Sequence, residues 1–153
     1  MTSNLPLSKQ ALVSLYDRDY SRWLQETASL LKTGELHQLD LENLIEEIEE
    51  MGRREKRAVY SNFKIVLSHL LKYRYQPEKR SNSWCSTLVE HRQRLHHLFR
   101  ESPSLKRYAE EIFEESYRDA IALAAAETGL SKAIFPEKSP FSSQETLDLE
   151  YLP

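Results

Sequence analysis

Residues 41–75 read LENLIEEIEEMGRREKRAVYSNFKIVLSHLLKYRY, and the periodicity of this stretch decides the fold. Leu41, Leu44, Ile45, Ile48 and Met51 recur at steps of three and four, and the same phase resumes at Val59, Phe63, Val66, Leu67, Leu70 and Tyr73. Stepping from 48 through 52, 55 and 59 keeps the period near that of an α-helix. Asp40 stands where a helix cap belongs. The stretch therefore predicts one long helix over about 41–75. The apolar stripe is interrupted from Gly52 to Lys56, where Arg53, Arg54 and Glu55 also crowd the chain, so a bend at Gly52 or a split there into two helices is the alternative.

Upstream, Asp17 is a candidate cap for a helix over about 17–32, with Tyr20, Trp23, Leu24, Leu30 and Leu31 as its apolar face and Gly34 as its stop. Residues 1–15 show no long pattern and read as a loose N-terminal arm. Downstream, Gln76-Pro77 ends the long helix, because a residue before proline disfavours the helical region. Ser81, Asn82 or Ser83 can cap the next helix, about 83–100, whose apolar positions are Trp84, Leu88, Leu95, Leu98 and Phe99. Trp84 reads there as a core residue whose removal costs about 3–5 kcal/mol. Ser102-Pro103 starts a last long helix over about 103–128, with Leu105, Tyr108, Ile112, Phe113, Tyr117, Ile121 and Leu123 inward and Gly129 at its end. Residues 130–153 are too apolar for a free linker. They predict an irregular tail lying across the helices, with one short helical turn near 143–148. The whole is a single all-α domain over 1–153, a bundle of four to five helices with the tail packed on it.

Composition agrees. Only 3 of 153 residues are glycine, too few for the tight turns of sandwiches and barrels or for a glycine-rich phosphate loop. One cysteine, Cys85, excludes an intrachain disulfide and a thiolate metal cluster, and fits a reducing compartment. No window reaches the roughly 18 apolar residues of a membrane span, and residues 1–15 make a poor signal peptide. A cytoplasmic protein without a membrane role is expected. The net charge of −3 hides an uneven distribution: net −6 over residues 1–52, +10 over 53–107 and −7 over 108–153. A basic middle between two acidic segments suggests neutralisation inside the fold more than a nucleic-acid protein, whose whole domain is normally basic.

Several short pieces, in order, resemble a known family. They are Leu39-Asp40-Leu41-Glu42-Asn43-Leu44, Glu46-Glu47-Ile48-Glu49, His69-Leu70-Leu71-Lys72, Gln76-Pro77, Arg80, Ser83-Trp84, Thr87 and Arg92. Pro103-Ser104-Leu105, Thr128-Gly129-Leu130, Phe135-Pro136, Pro140 and Leu152-Pro153 follow. The chain is similar over nearly its whole length to the bacterial family catalogued as domain of unknown function twenty-nine. The resemblance implies a small, wholly helical, cytoplasmic bacterial protein and implies no reaction. Two positions depart from the family pattern: Tyr73 stands where tryptophan is frequent, and Cys85 where a basic residue is common, which argues against a cysteine nucleophile.

Three constellations bear on function. Glu42, Glu46, Glu49 and Glu50 share one side of the long helix, with Glu47 rotated away. Carboxylates beside a histidine can hold a divalent metal, and Glu46, Glu47 and Glu50 with His69 are the candidates. The glutamate-to-histidine spacing of di-iron bundles is absent, so a solvated face is the better reading and no metal or other cofactor is expected. His69, between Val66 and Leu70, reads as a core-edge histidine bonded to a carbonyl or carboxylate. The segment 72–94 is the candidate polar or anion site: Lys72, Arg74, Arg80, Trp84 and Arg92, with Lys79, Arg94, Tyr73 and Tyr75 interleaved. Cations among aromatic rings suit phosphate or nucleic acid, whereas arginines between acidic helices usually make ion pairs. The expectation is a protein-interaction or structural module, able to bind a protein partner or itself, and not an enzyme. The alternatives are a nucleic-acid or anion-binding module built on 72–94, and a metal-dependent hydrolase with a carboxylate and histidine site.

Overall fold

A computed structural model describes residues 7–153. Among them lie seven α-helices, three short 3-10 turns and no strand. The helices are α1 (Lys9–Arg18), α2 (Tyr20–Thr33), α3 (Leu41–Tyr75), α4 (Asn82–Glu101), α5 (Ser104–Glu111), α6 (Phe113–Thr128) and α7 (Ser143–Leu147). The all-helical class holds; the expected four to five helices become seven for two reasons.

The first is at the N-terminus. Residues 9–15 are helical rather than a loose arm, because the Ser8 hydroxyl accepts from the Ala11 amide at 3.2 Å and caps α1. Residues 1–6 of that expected arm lie outside the described residues. Asp19, not Asp17, is the capping residue of the next helix. Its amide closes α1 on the Leu15 carbonyl, and its carboxylate accepts from the Arg22 amide that opens α2. One residue thus ends one helix and starts another. The second reason is at Ile112, whose backbone (φ −96°, ψ 5°) leaves the helical region and divides the expected 103–128 helix. Ile112 and its neighbour Phe113 both pack on the core. A straight helix would turn consecutive side chains about 100° apart, so the break serves packing and no proline or glycine announces it.

The long helix is continuous from Leu41 to Tyr75, as its periodicity predicts. Asp40 caps it, taking the Asn43 side-chain amide at 2.7 Å and the Trp23 indole N–H at 3.1 Å. Gly34 and Gly129, with φ of +74° and +73°, terminate α2 and α6 in the left-handed region that glycine enters freely. Ser81 caps α4, and the short helix expected near 143–148 is α7.

The chain forms two compact units, Met1–Arg53 and Arg54–Pro153. The second has an extensive core. Val59, Phe63, Val66, Leu67, Leu70 and Leu71 of α3 meet Leu88 and Leu95 of α4, Ala109 of α5, Tyr117, Ala120 and Ala124 of α6, and Phe135 and Phe141 of the tail. The first has a small one, Leu12, Leu15 and Trp23, flanked by Tyr16, Leu30 and Leu44. The apolar pattern of α3 is therefore used unevenly. Its second half is buried, while Leu41, Ile45, Ile48 and Met51 are each more than half exposed. No helix of the described residues is long and apolar enough to cross a membrane.

Candidate functional site

The turn Pro77–Lys79 reverses the chain after α3, and α4 brings Trp84 back against Lys72. The Lys72 ammonium lies 5.1 Å from the Trp84 ring centroid, a cation–π arrangement. It also donates to Glu127 of α6 at 2.6 Å and stands 3.4 Å from Nε2 of His69. His69 Nδ1 is 2.9 Å from the Ile65 carbonyl. A carbonyl can only accept, so Nδ1 carries the proton and Nε2 presents its lone pair toward Lys72. Burial pushes the His69 imidazole below its ordinary 6.5, and the neighbouring Lys72 charge acts in the same direction. Lys72 is nearly inaccessible, so its positive charge is spent inside the chain.

His91 of α4 is held the same way. Asn62 donates its side-chain N–H to the Ala58 carbonyl at 2.7 Å, leaving its oxygen to accept from His91 Nδ1 at 2.7 Å. Burial again lowers this histidine's pKa.

Arg92 is 1% exposed and meets no carboxylate. Its guanidinium donates to three backbone carbonyls of the C-terminal segment, Thr146 and Tyr151 at 2.9 Å and Glu145 at 3.2 Å. One turn further along α4, His96 Nε2 donates to the Leu147 carbonyl at 2.7 Å. Helix α7 ends at Leu147, where helical carbonyls lack intrahelical partners and favour a cation. Arg92 supplies both needs, and His96 adds a further donor.

The remaining cations of the segment lie outside. Arg80 donates to the Tyr73 carbonyl at 2.7 Å and stands over the Tyr73 ring, 4.4 Å from its centroid. Arg74 stands over Tyr75, and Arg94 pairs with Glu90 at 2.5 Å. Trp84 is half-buried beneath Lys72 and is not part of the core, in contrast to its reading from periodicity. Of the five candidate residues, the structure brings Lys72 and Trp84 together, sets Arg74 and Arg80 each on a tyrosine, and commits Arg92 to the tail.

The carboxylate candidates are equally engaged. Arg53 reaches back along α3 to Glu46 at 2.7 Å and Glu50 at 2.8 Å, with Glu49 at 3.8 Å. Glu47, 8% exposed, accepts from the hydroxyls of Tyr16 and Tyr20, both at 2.6 Å. The Glu47 bond pushes Tyr16 up to about 12. Trp23 stacks on Tyr20 and meets Tyr16 edge-on. Among the described residues no three His, Cys, Asp or Glu side chains form a group able to hold a metal.

Spacing reads Tyr16, Tyr20 and Trp23 as a core stripe and finds no two-histidine ligand set among His91, His96 and His97; Asn62 and Glu127 do not stand out in the sequence. The four-residue step from Arg92 to His96 was a usable signal that both face one way; Glu127 and Asn62 carry none. A surface cleft of about 740 Å³ along α4, lined by Arg94, His96, His97, Arg100 and Leu149 among others, was also missed.

These features define an all-helical protein whose buried polar side chains serve chiefly to fasten its own helices and tail. The chain belongs to the family described as Domain of unknown function DUF29, whose model matches residues 15–152. Comparison with curated proteins and with solved structures returns no match.

Proposed function

We propose that this chain is a protein-interaction module whose working surface is the apolar face of its first unit. One observation carries this reading. Among the described residues, nine of the thirteen large apolar side chains that are strongly exposed belong to residues 7–53: Val13, Tyr20, Leu24, Leu31, Leu36, Leu41, Ile45, Ile48 and Met51. Apolar groups scattered singly on a surface need no explanation, but Leu41, Ile45, Ile48 and Met51 recur at helical spacing on one face of α3, and a contiguous apolar patch marks a binding surface. The buried polar groups supply the complementary argument. Lys72, His69, Arg92 and Glu47 all have partners within the chain, so they support fastening rather than turnover. A cytoplasmic location and a helical bundle crossed by its tail remain part of the reading. The first is supported by the lone Cys85, the second by the burial of Phe135 and Phe141.

Met51 reports on this surface directly, being 53% exposed and convertible to its sulfoxide. With an unstructured methionine peptide as internal standard, Met51 is expected to oxidise several-fold more slowly in cells than in dilute purified protein. Equal normalised rates would remove the reading.

A second reading keeps an anion-binding role for the segment 72–94. It rests on the exposed Arg74, Lys79 and Arg80 beside Tyr73 and Tyr75. A salt-sensitive shift of labelled RNA or phosphate-bearing ligand, lost in Arg74→Ala/Arg80→Ala, would support it; no shift at low salt would remove it.

A further inference from the structure

The side of α4 that carries Arg92 and His96 continues, one turn on, to Phe99 and Arg100. Arg92 and His96 spend their donors on carbonyls of the tail. Arg100 does not: it is exposed, and no hydrogen bond or ion pair engages it among the described residues. The turn through Ser102 and Pro103 then leads to Lys106 of α5, equally exposed and equally uncommitted. Both cations line one cleft of about 400 Å³ between α4, α5 and α7. Through His96 and Arg100 it adjoins the cleft of about 740 Å³ along α4. Hollows of roughly 300–1,000 Å³ suit small ligands.

Two further features narrow the ligand. Phe99 and Leu147 line the same cleft while packing on the core, so its base is apolar and fixed. The charges are of both signs. Asp148 lies in the cleft, but one of its oxygens accepts from the Glu150 amide at 2.9 Å. Glu110 lines the adjoining hollow with Lys106, and no ion pair joins the two. Two free cations beside these carboxylates suit one compact anion and disfavour a long polyanion, which needs an unbroken basic surface. Arginine and lysine together match a phosphate group, the first by its fork and the second as a point charge.

We propose that this cleft binds a small organic phosphate. Its phosphate group lies between Arg100 and Lys106, and its apolar body rests on Phe99 and Leu147. This site is separate from the segment 72–94 and from the apolar face of the first unit. Because α7 forms one wall, a bound ligand also ties the tail to α4 and α5.

Amide spectra of the full chain, titrated at constant ionic strength with phenyl phosphate and separately with inorganic phosphate, test this. Phenyl phosphate is expected to saturate in the low millimolar range, several-fold more tightly than inorganic phosphate, with shifts centred on the end of α4, the start of α5 and α7. Arg100→Ala and Lys106→Ala should each weaken it by about fivefold or more. Arg107→Ala, which removes the next charge on α5 outside the cleft, should leave binding unchanged. All three positions are exposed, so the variants should keep the native far-ultraviolet dichroism. No saturation by phenyl phosphate, equal affinity for the two probes, or an equal loss in Arg107→Ala overturns the proposal.

Discussion

Arg92 of α4 donates to the backbone carbonyl of Tyr151, 59 residues further on, at 2.9 Å. The bond is one of three that a single buried guanidinium makes to the C-terminal segment, all to backbone carbonyls, with the Asp148 carboxylate acting on the charge only through space. Removing the side chain leaves several carbonyls without their donor in a dry environment. Arg92→Met is therefore expected to cost on the order of 3 kcal/mol. Arg92→Lys should recover little, since one ammonium cannot reproduce the planar fork. Denaturant unfolding gives the energy, and limited proteolysis should show the segment after Phe141 becoming cleavable before the rest. An intact tail in Arg92→Met would contradict this role.

The Lys72–Glu127 pair joins α3 to α6, but the Glu127 side chain is 41% exposed. Solvent screens that end, so the coupling in a double-mutant cycle of Lys72→Met and Glu127→Gln is expected to be about 1 kcal/mol or less. Trp84→Ala, judged from periodicity to remove a core residue, should cost only about 1–2 kcal/mol, below the range for a fully buried ring. Part of that cost should vanish in a Lys72→Met background, because the ring and the ammonium stabilise each other. Thermal melting of the variants measures both terms.

Acid should weaken the second unit through its histidines. His69 and His91 are held below their ordinary 6.5, chiefly by burial. Between that value and each folded pKa, the unfolded chain binds more protons than the folded one. Stability is thus full above about pH 6.5 and falls as the pH drops through it. Denaturant midpoints from about pH 8 to about pH 5 should show the decline, and His69→Gln should flatten part of it. A midpoint that rises on acidification would contradict the assignment of both rings as neutral.

At the alkaline end the sign reverses. Tyr16, Tyr60 and Tyr117 are raised from 10.0 to about 12, Tyr16 first by its bond to Glu47, Tyr60 by its bond to Asp119 and Tyr117 by burial. Their neutral forms stabilise the fold below about pH 10, and that contribution is lost as the pH rises through about 12. Phenolate absorbance should show Tyr16, Tyr60 and Tyr117 ionising late, with Tyr151, raised by its burial, also displaced upward. Tyr16→Phe should remove one of these late steps.

Gly52→Ala should stabilise the folded chain. With open space for the new Cβ, the substitution should raise stability by up to about 1 kcal/mol. Thermal melting measures the gain, and a lower melting temperature would contradict the open surroundings of Gly52.

The long helix was legible because thirty-five residues hold one phase, and Gly34, Gly129, Ser81 and Asp40 act where their chemistry predicts. The break at Ile112 was not legible, because it follows from two adjacent side chains sharing one core and not from a helix-breaking residue. Asp17 and Asp19 are equally good caps on paper; only the Leu15 carbonyl distinguishes them. Among the site candidates, sequence grouped Lys72 with Trp84 correctly. It could not foresee that Arg92 would bind carbonyls, because backbone acceptors leave no mark in composition. The apolar pattern of α3 had the same limit: periodicity identifies a face and is silent on whether the chain covers it.

The most direct test of that uncovered face is the rate of Met51 sulfoxide formation in cells, compared between the native chain and Ile48→Asp and normalised to the dilute purified proteins. The account predicts slow oxidation in the native chain and a return to the dilute rate in Ile48→Asp. Met51 oxidising at the dilute rate in both would contradict it.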